Sequence, residues 1–382
     1  MGNILTFIAD ETNGTSYKSY KYCFEAVEVP ANEYEDKKDI NVKKKGESDK
    51  SISAFRSVAK LAKKISKEGK PLFRYFLDGS RRTYKIDDIA YGNRLFPVIA
   101  GQIGVGCCER KDSHTFKPVV LKKPLVIAIP ECANSVTSND ELYFNNLIQK
   151  LNKQKTLQAR GIQFEMLLPY ADAPLKEGEK YELKGIAKIQ DEMVDLEKRI
   201  VKQLAKERKL NAKAYLIKDG SLEYSKIGSG ELRDLSAIKA NYACVVGVSK
   251  MFNPESLSRA GTKDIARKIA ELKRYHRTPA IRYSTDIIPD VDFAVWYLRI
   301  RDTLNPYDGI VKIEKILLSD KEEEEGLDTD EVDLISANIV NERNPVCYGQ
   351  DNRWAKHLYP VYLTETYIKS QYLSDIHFTN LF

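Results

Sequence analysis

At 382 residues and 43.6 kDa, with 42% hydrophobic and 30% charged residues, the chain can bury a substantial core behind a well-solvated surface, which excludes general disorder. The 61 Lys and Arg against 55 Asp and Glu leave a net charge of +6, a slight bias that gives only weak support for a polyanionic partner. Six cysteines without a Cys-x-x-Cys pair and four histidines argue against a structural zinc site and point to a reducing, cytoplasmic setting. No run reaches the roughly 18 apolar residues of a membrane span, and "MGNILTFIADETNG" lacks a basic region leading into an apolar one, so a soluble, unprocessed protein is expected.

Residues 1–70 are expected to form a lysine-rich, partly helical extension. Within it Ile52, Phe55, Val58, Leu61 and Ile65 recur at helical spacing, with Ser51 as a cap and Gly69 as a stop. From Pro71 to Arg110 the pattern predicts about three successive strands with turns, and "KPLVIAIPE" adds another. The glycines of "GQIGVG" lack the spacing of a dinucleotide fingerprint and read as a sheet or hairpin feature. An insertion is expected at about 132–180, with a helix near "DELYFNNLIQKLNKQKTL" and a strand at "IQFEMLLPY".

The strongest helical signal follows, an apolar stripe of Ile189, Met193, Leu196, Ile200 and Leu204. It leads into the strand candidates "AKAYLIKDGS" and "NYACVVGVSK". A helix in "TKDIARKIAELKRYH", strands at "AIRYSTDII" and "DFAVWYLRIRD", the acidic run "SDKEEEEGLDTDEVD" and a mixed, partly helical end complete the chain. The fold class expected is α/β, a mixed sheet flanked by helices with insertions, in a single elaborated domain over 71–382.

The stretch "FLDGSRRTY" is echoed by "LIKDGSLEY", so the chain twice follows an apolar strand with Asp-Gly-Ser. Either each Asp-Gly is a turn, its glycine supplying a positive φ, or Asp78 and Asp219 are carboxylates at two strand ends that reach one metal ion. Glu197 emerges on its helix among Met193, Val194, Ile200 and Val201, so it needs either a lysine partner or a cation. Gathered together, such carboxylates would bind Mg²⁺ or Mn²⁺ and support phosphodiester cleavage, chemistry that needs no histidine nucleophile. Lys250 is either a solvated strand end or a phosphate contact. Arg81, Arg82, Arg282 and Arg299 could line a basic channel, and Tyr283, Trp296 and Tyr297 are either core or a platform for unpaired bases.

In order, "FLDGSRRTY", "MVDLEKRIVKQLA", "AYLIKDGSL", "CVVGVSK", "RYSTDIIPDVDFAVWYLRI" and "YPVYLTETYIKSQ" resemble the NurA nuclease family, from about Leu72 to Ser370. The resemblance implies a ribonuclease-H-like fold and a manganese-supported DNA nuclease that processes ends and cuts single strands. It implies a homodimer fed with DNA by a separate hexameric HerA-type translocase, in repair or phage defence. Carried over, Asp78, Glu197 and Asp219 become metal ligands, with Glu192 as the alternative on the helix, and Lys250 matches a family lysine. Family members carry Ala-His after the last Tyr-Pro, where this chain has Thr366-Tyr367, and neither His357 nor His377 aligns with that histidine. Tyr367 is thus the candidate at that position. The alternatives are an inactive DNA-binding scaffold subunit and a Piwi-like nuclease of the same fold class.

Overall fold

In the computed structural model of the chain, residues 4–27, 40–43, 46–49, 51, 55–136, 139–222, 235–253, 265–285, 288–346 and 354–382 are described. The principal strands are β1 (Ile40–Lys43), β2 (Phe73–Tyr91), β3 (Arg94–Arg110), β4 (Phe116–Lys122), β5 (Leu125–Pro130) and β6 (Met166–Tyr170). They continue with β7 (Tyr215–Asp219), β8 (Val245–Ser249), β9 (Ile281–Thr285), β10 (Ile288–Arg299) and β11 (Ile310–Ile316). The helices that matter for the site are α1 (Ala59–Glu68), α2 (Asp140–Leu151), α3 (Tyr181–Lys206), α4 (Thr329–Glu342) and α5 (Tyr359–Lys369).

One mixed sheet runs in the order β1, β9, β10, β11, β8, β7, β2, β3, β5, β6, with β4 attached to β3. The centre is parallel, since β7 pairs in parallel with both β2 and β8, while β2 to β3 and β3 to β5 are antiparallel. Helices cover both faces. The stripe Ile189, Met193, Leu196, Ile200 and Leu204 of α3 is buried against Leu77, Val105 and Cys107 on one face. On the other, α1, α4 and α5 close over Phe76, Ile217, Val246 and Val248 with Ala62, Ile335 and Val361. Alternation along each strand, two residues per repeat, sends neighbouring side chains to these separate cores.

Several local expectations are corrected. The region expected to hold about three strands is one hairpin of a 19-residue and a 17-residue strand, turning at Gly92, whose φ is +60°. Asp78-Gly79-Ser80 therefore lies inside β2, paired with Gly106, Val105 and Gly104 of β3, and is neither a turn nor a strand end. The helix expected from Ser51 begins at Ala59, and Arg56–Ser57 instead forms a short strand against His276–Arg277. Gly69 does stop that helix, in the left-handed region at φ +63°.

The described residues among the first seventy pack onto the same body. Ile4, Leu5 and Ile8 join the core on the α3 face, and β1 extends the sheet beside β9. Glu47 is ion-paired to the fully buried Arg277, which also holds Asp333 of α4. Residues 28–39, 44–45 and 50, which include Lys37, Lys38, Lys44, Lys45 and Lys50, lie outside the described residues, as do Ile52 and Cys347. In the 132–180 region, β6 continues the sheet in parallel with β5, and α2 packs upon it.

Candidate active site

The sheet brings Asp78 and Asp219 together through register. Leu77 of β2 is opposite Lys218 of β7, so Asp78 and Asp219 are the next residues along two adjacent parallel strands. Phe76 and Ile217, two residues earlier on each strand, lie in the core beneath α4 and α5, so both carboxylates project to that face. Lys250 follows Val246 and Val248 by the same alternation and donates to Asp219 Oδ2 at 2.8 Å. β7 stops at Asp219 while β2 continues, leaving a notch in the sheet beside Asp78.

Glu197 comes from the opposite face. It is buried on α3, with Oε2 ion-paired to Lys218 Nζ at 3.1 Å. Lys218 Nζ in turn donates to the Asp219 carbonyl at 2.9 Å. Gly79 makes room for the glutamate: a Cβ at that position would stand 2.3 Å from Glu197 Oε1. The two Asp-Gly-Ser copies thus use glycine differently. Gly220 adopts φ +87° and turns the chain after β7, whereas Gly79 is a strand residue kept bare by a neighbouring carboxylate.

Electrostatics follow from this crowding. Asp78 is 5% exposed, and its Oδ2 has no hydrogen-bond partner among the described residues. Burial, and then the charges of Asp219 and Glu365, hold its carboxyl well above the usual range, with Lys250 opposing. Burial also raises Glu197, partly offset by Lys218. Burial alone would lower the Lys250 ammonium, but Asp219, Glu365 and Asp78 together outweigh it and raise it.

The other candidates are placed as follows. Glu192 is ion-paired to Arg199 on its own helix, and Glu197 is the α3 carboxylate that lies against Gly79. Lys250 is 3% exposed and engaged with Asp219, not a solvated strand end. Arg81 is held by Glu25 at 2.5 Å and by Gln190, and Arg82 by Asp375 at 2.8 Å with its guanidinium over the Tyr372 ring. Arg282, on β9 and four strands from β7 along the sheet, is paired with Asp292 of β10 and does not join the acids. Arg299 donates into backbone carbonyls of Leu272, Ala270, Pro306 and Asp308. Tyr283, Trp296 and Tyr297 are buried, Trp296 donating to Ser336, so these rings are core and offer no stacking platform.

Tyr367 is half-buried on α5, two positions and about 200° around the helix from Glu365. It is therefore Glu365, not Tyr367, whose charge acts on Asp78 and Lys250. Lys218, Glu365 and Tyr372, the last with its hydroxyl over Gly104 on the Asp78 face, are residues of this cluster that the sequence reading missed. Lys218 had a signal, a charged residue inside an otherwise apolar strand; Glu365 and Tyr372 had none, because their position depends on how the C-terminal segment docks.

An oxygen-only donor set with an unpartnered buried carboxylate oxygen suits a hard divalent cation, and Asp78 and Asp219 are the residues that would hold it. Among the described residues, however, no three His, Cys, Asp or Glu side chains are gathered in an arrangement that could hold a metal ion. Asp219 and Glu197 are instead neutralised by Lys250 and Lys218. No known family profile matches the chain, and no curated protein matches it. No helix among the described residues is long and apolar enough to cross a membrane.

Proposed function

We propose that the chain is a divalent-metal-dependent deoxyribonuclease with a ribonuclease-H-like core, of the kind that its motif order resembles in the NurA family. The observation that carries this reading is the buried, unpartnered Asp78 carboxylate beside Asp219, on neighbouring parallel strands next to a notch in the sheet. The topology supports the fold assignment: an antiparallel β2, β3, β5 meander, then α3, then β7 and β8 added on the other side of β2 with β7 parallel to it.

Bound Mn²⁺ or Mg²⁺ would activate a water molecule and stabilise the leaving oxygen of a phosphodiester. The chain's own contribution is electrostatic. Asp78 and Asp219 lie side by side on the α5 face, Glu197 approaches from the α3 face through the gap at Gly79, and Lys250, ion-paired to Asp219, would offer its ammonium to a phosphate oxygen. As the chain lacks a phosphate-loop motif, movement along DNA would come from a separate HerA-type hexameric ATPase, with this chain acting as a cytoplasmic homodimer. End-labelled single-stranded and duplex DNA incubated with Mn²⁺, Mg²⁺ or EDTA tests the reading. Metal-dependent degradation lost in both Asp78→Ala and Asp219→Ala supports it. Absence of cleavage, even with a cognate translocase, selects the second reading, a DNA-binding scaffold, which is favoured by the lysines already seated on Asp219 and Glu197.

A further inference from the structure

The turn that follows Asp219 is folded down onto the α3 face of the sheet. Gly220 N–H donates to the Val248 carbonyl at 2.9 Å, and Leu222 is fully buried over Gly247, where a Cβ would stand 2.8 Å from Leu222 Cγ and 3.0 Å from the Gly220 carbonyl oxygen. A carboxylate from two strands away holds the turn in this seat. Glu314 of β11 lies opposite Gly247 of β8 and is fully buried. Its Oε2 accepts from the Ser221 hydroxyl and from the Leu222 N–H, both at 2.8 Å. Its Oε1 accepts from the Tyr283 hydroxyl at 3.3 Å and is ion-paired to the buried Lys312 at 2.7 Å. Burial alone would raise this carboxyl, but Lys312 and then the two donors of the turn outweigh it and hold it below the usual range. Apolar side chains of similar volume often stabilise a core as well as a buried ion pair does, so the distinctive product of this one is the conformation it imposes just past Asp219.

We propose that Glu314 is a positioning residue of this site, clamping Ser221 and Leu222 so that the Asp219 carboxylate keeps its direction beside Asp78. The backbone around Asp219 is then held from two directions, by Lys218 Nζ on its carbonyl at 2.9 Å and by Glu314 on the next turn. The serine of the second Asp-Gly-Ser is the link between the buried pair and the aspartate. The proposal rests on the nuclease reading and goes beyond it by assigning a residue that acts on the reaction through Ser221 and the turn. A displacement of about 1 Å in a reacting group is enough to cost roughly 100-fold in rate, so a clamp at this distance matters to catalysis.

The test compares wild type, Ser221→Ala, Glu314→Gln, the double variant and Tyr283→Phe, which removes a Glu314 partner outside the turn. Thermal melts check folding, and Ser221→Ala decides alone if Glu314→Gln does not fold. Two readouts are taken on the full chain: Mn²⁺-dependent cleavage of labelled single-stranded DNA, resolved into kcat and KM, and hydrogen exchange of the Leu222 amide. Ser221→Ala and Glu314→Gln are expected to lower kcat by about tenfold or more with KM little changed, and the double variant to fall no further than Glu314→Gln alone. Both single variants should speed exchange at Leu222, while Tyr283→Phe should match wild type in both readouts. If Ser221→Ala and Glu314→Gln fold and keep the wild-type kcat, the positioning role falls and the nuclease reading stands. If wild type cleaves nothing with any divalent ion, the nuclease reading falls and exchange decides the rest: a faster Leu222 amide in the variants keeps Glu314 as the clamp of this turn, and an unchanged one overturns it.

Discussion

Replacing Gly79 by alanine separates a carboxylate-positioning role from a turn-forming one. The added Cβ would lie 2.3 Å from Glu197 Oε1, 3.2 Å from its Cδ and 3.3 Å from Met193 Cγ, where real Cβ contacts essentially never fall below 3.0 Å. The carboxylate must therefore retreat by at least about 0.7 Å, the difference between 3.0 and 2.3 Å. The obstruction is the end of a flexible side chain, and Gly79 is not among the positive-φ glycines, so the backbone accepts alanine. Loss of unfolded-state freedom favours the alanine by about 0.4–1 kcal/mol, which offsets part of the local crowding, and the net stability change should stay within about 1 kcal/mol. Function should respond more strongly, since a misplacement of about 1 Å can cost roughly 100-fold in rate. The paired measurements are a thermal melt and Mn²⁺-dependent cleavage of labelled single-stranded DNA. The expected result is a near-native melt with cleavage reduced by one to two orders of magnitude. Full cleavage would show that the position of Glu197 does not matter to the reaction, and the argument from the notch would fail. Gly220→Ala is the contrasting variant: at φ +87° the substitution strains the backbone itself, so it should cost about 1–2 kcal/mol of stability.

Three further outcomes follow from the same geometry. Asp78→Asn should abolish cleavage yet raise the melting temperature of metal-free protein near neutral pH. The folded-state pKa of Asp78 is raised, so the native state holds its proton longer than the unfolded chain does. Stability from this residue is thus lost as pH rises above the unfolded value of about 3.9, and the variant should flatten that slope in melts across pH; a steeper slope would contradict the assignment. Lys218→Met leaves Glu197 buried without its ammonium and should destabilise the fold by about 3–5 kcal/mol in denaturant titrations, with Glu197→Gln in the same chain restoring much of the loss. Gly106→Val, which drives a side chain into Ile368, should loosen α5 at a cost of about 1–3 kcal/mol and should speed amide exchange in residues 359–369, while exchange in α3 stays unchanged.

Much of the architecture was legible locally. The stripe on α3 and the apolar runs ending at Asp219 and Ser249 carry their periodicity in consecutive residues, and the structure forms these elements at about the expected places. The DGS of residues 78–80 was misread for an equally local reason. Asp-Gly is a turn signal by composition, but its conformation here is imposed by β3, which pairs along both sides of it. The basic-channel candidates were lost for a similar reason. Each arginine found an acid or a set of carbonyls inside the protein, such as Asp375 for Arg82 and Asp292 for Arg282, and side-chain pairing across the chain is not written in spacing.

Local pattern was enough for the α3 helix that carries Glu197, for the strands that lead to Asp219 and Lys250, and for the presence of acids within apolar surroundings. These depend on residues within a few positions of one another. Only the tertiary structure decided that Asp78 and Asp219 share the α5 face while Glu197 approaches from the α3 face through Gly79. It also decided that Lys218, Lys250 and Glu365 belong to the site. Register between strands selects the face of every side chain at once, and it is fixed by pairing between segments more than a hundred residues apart.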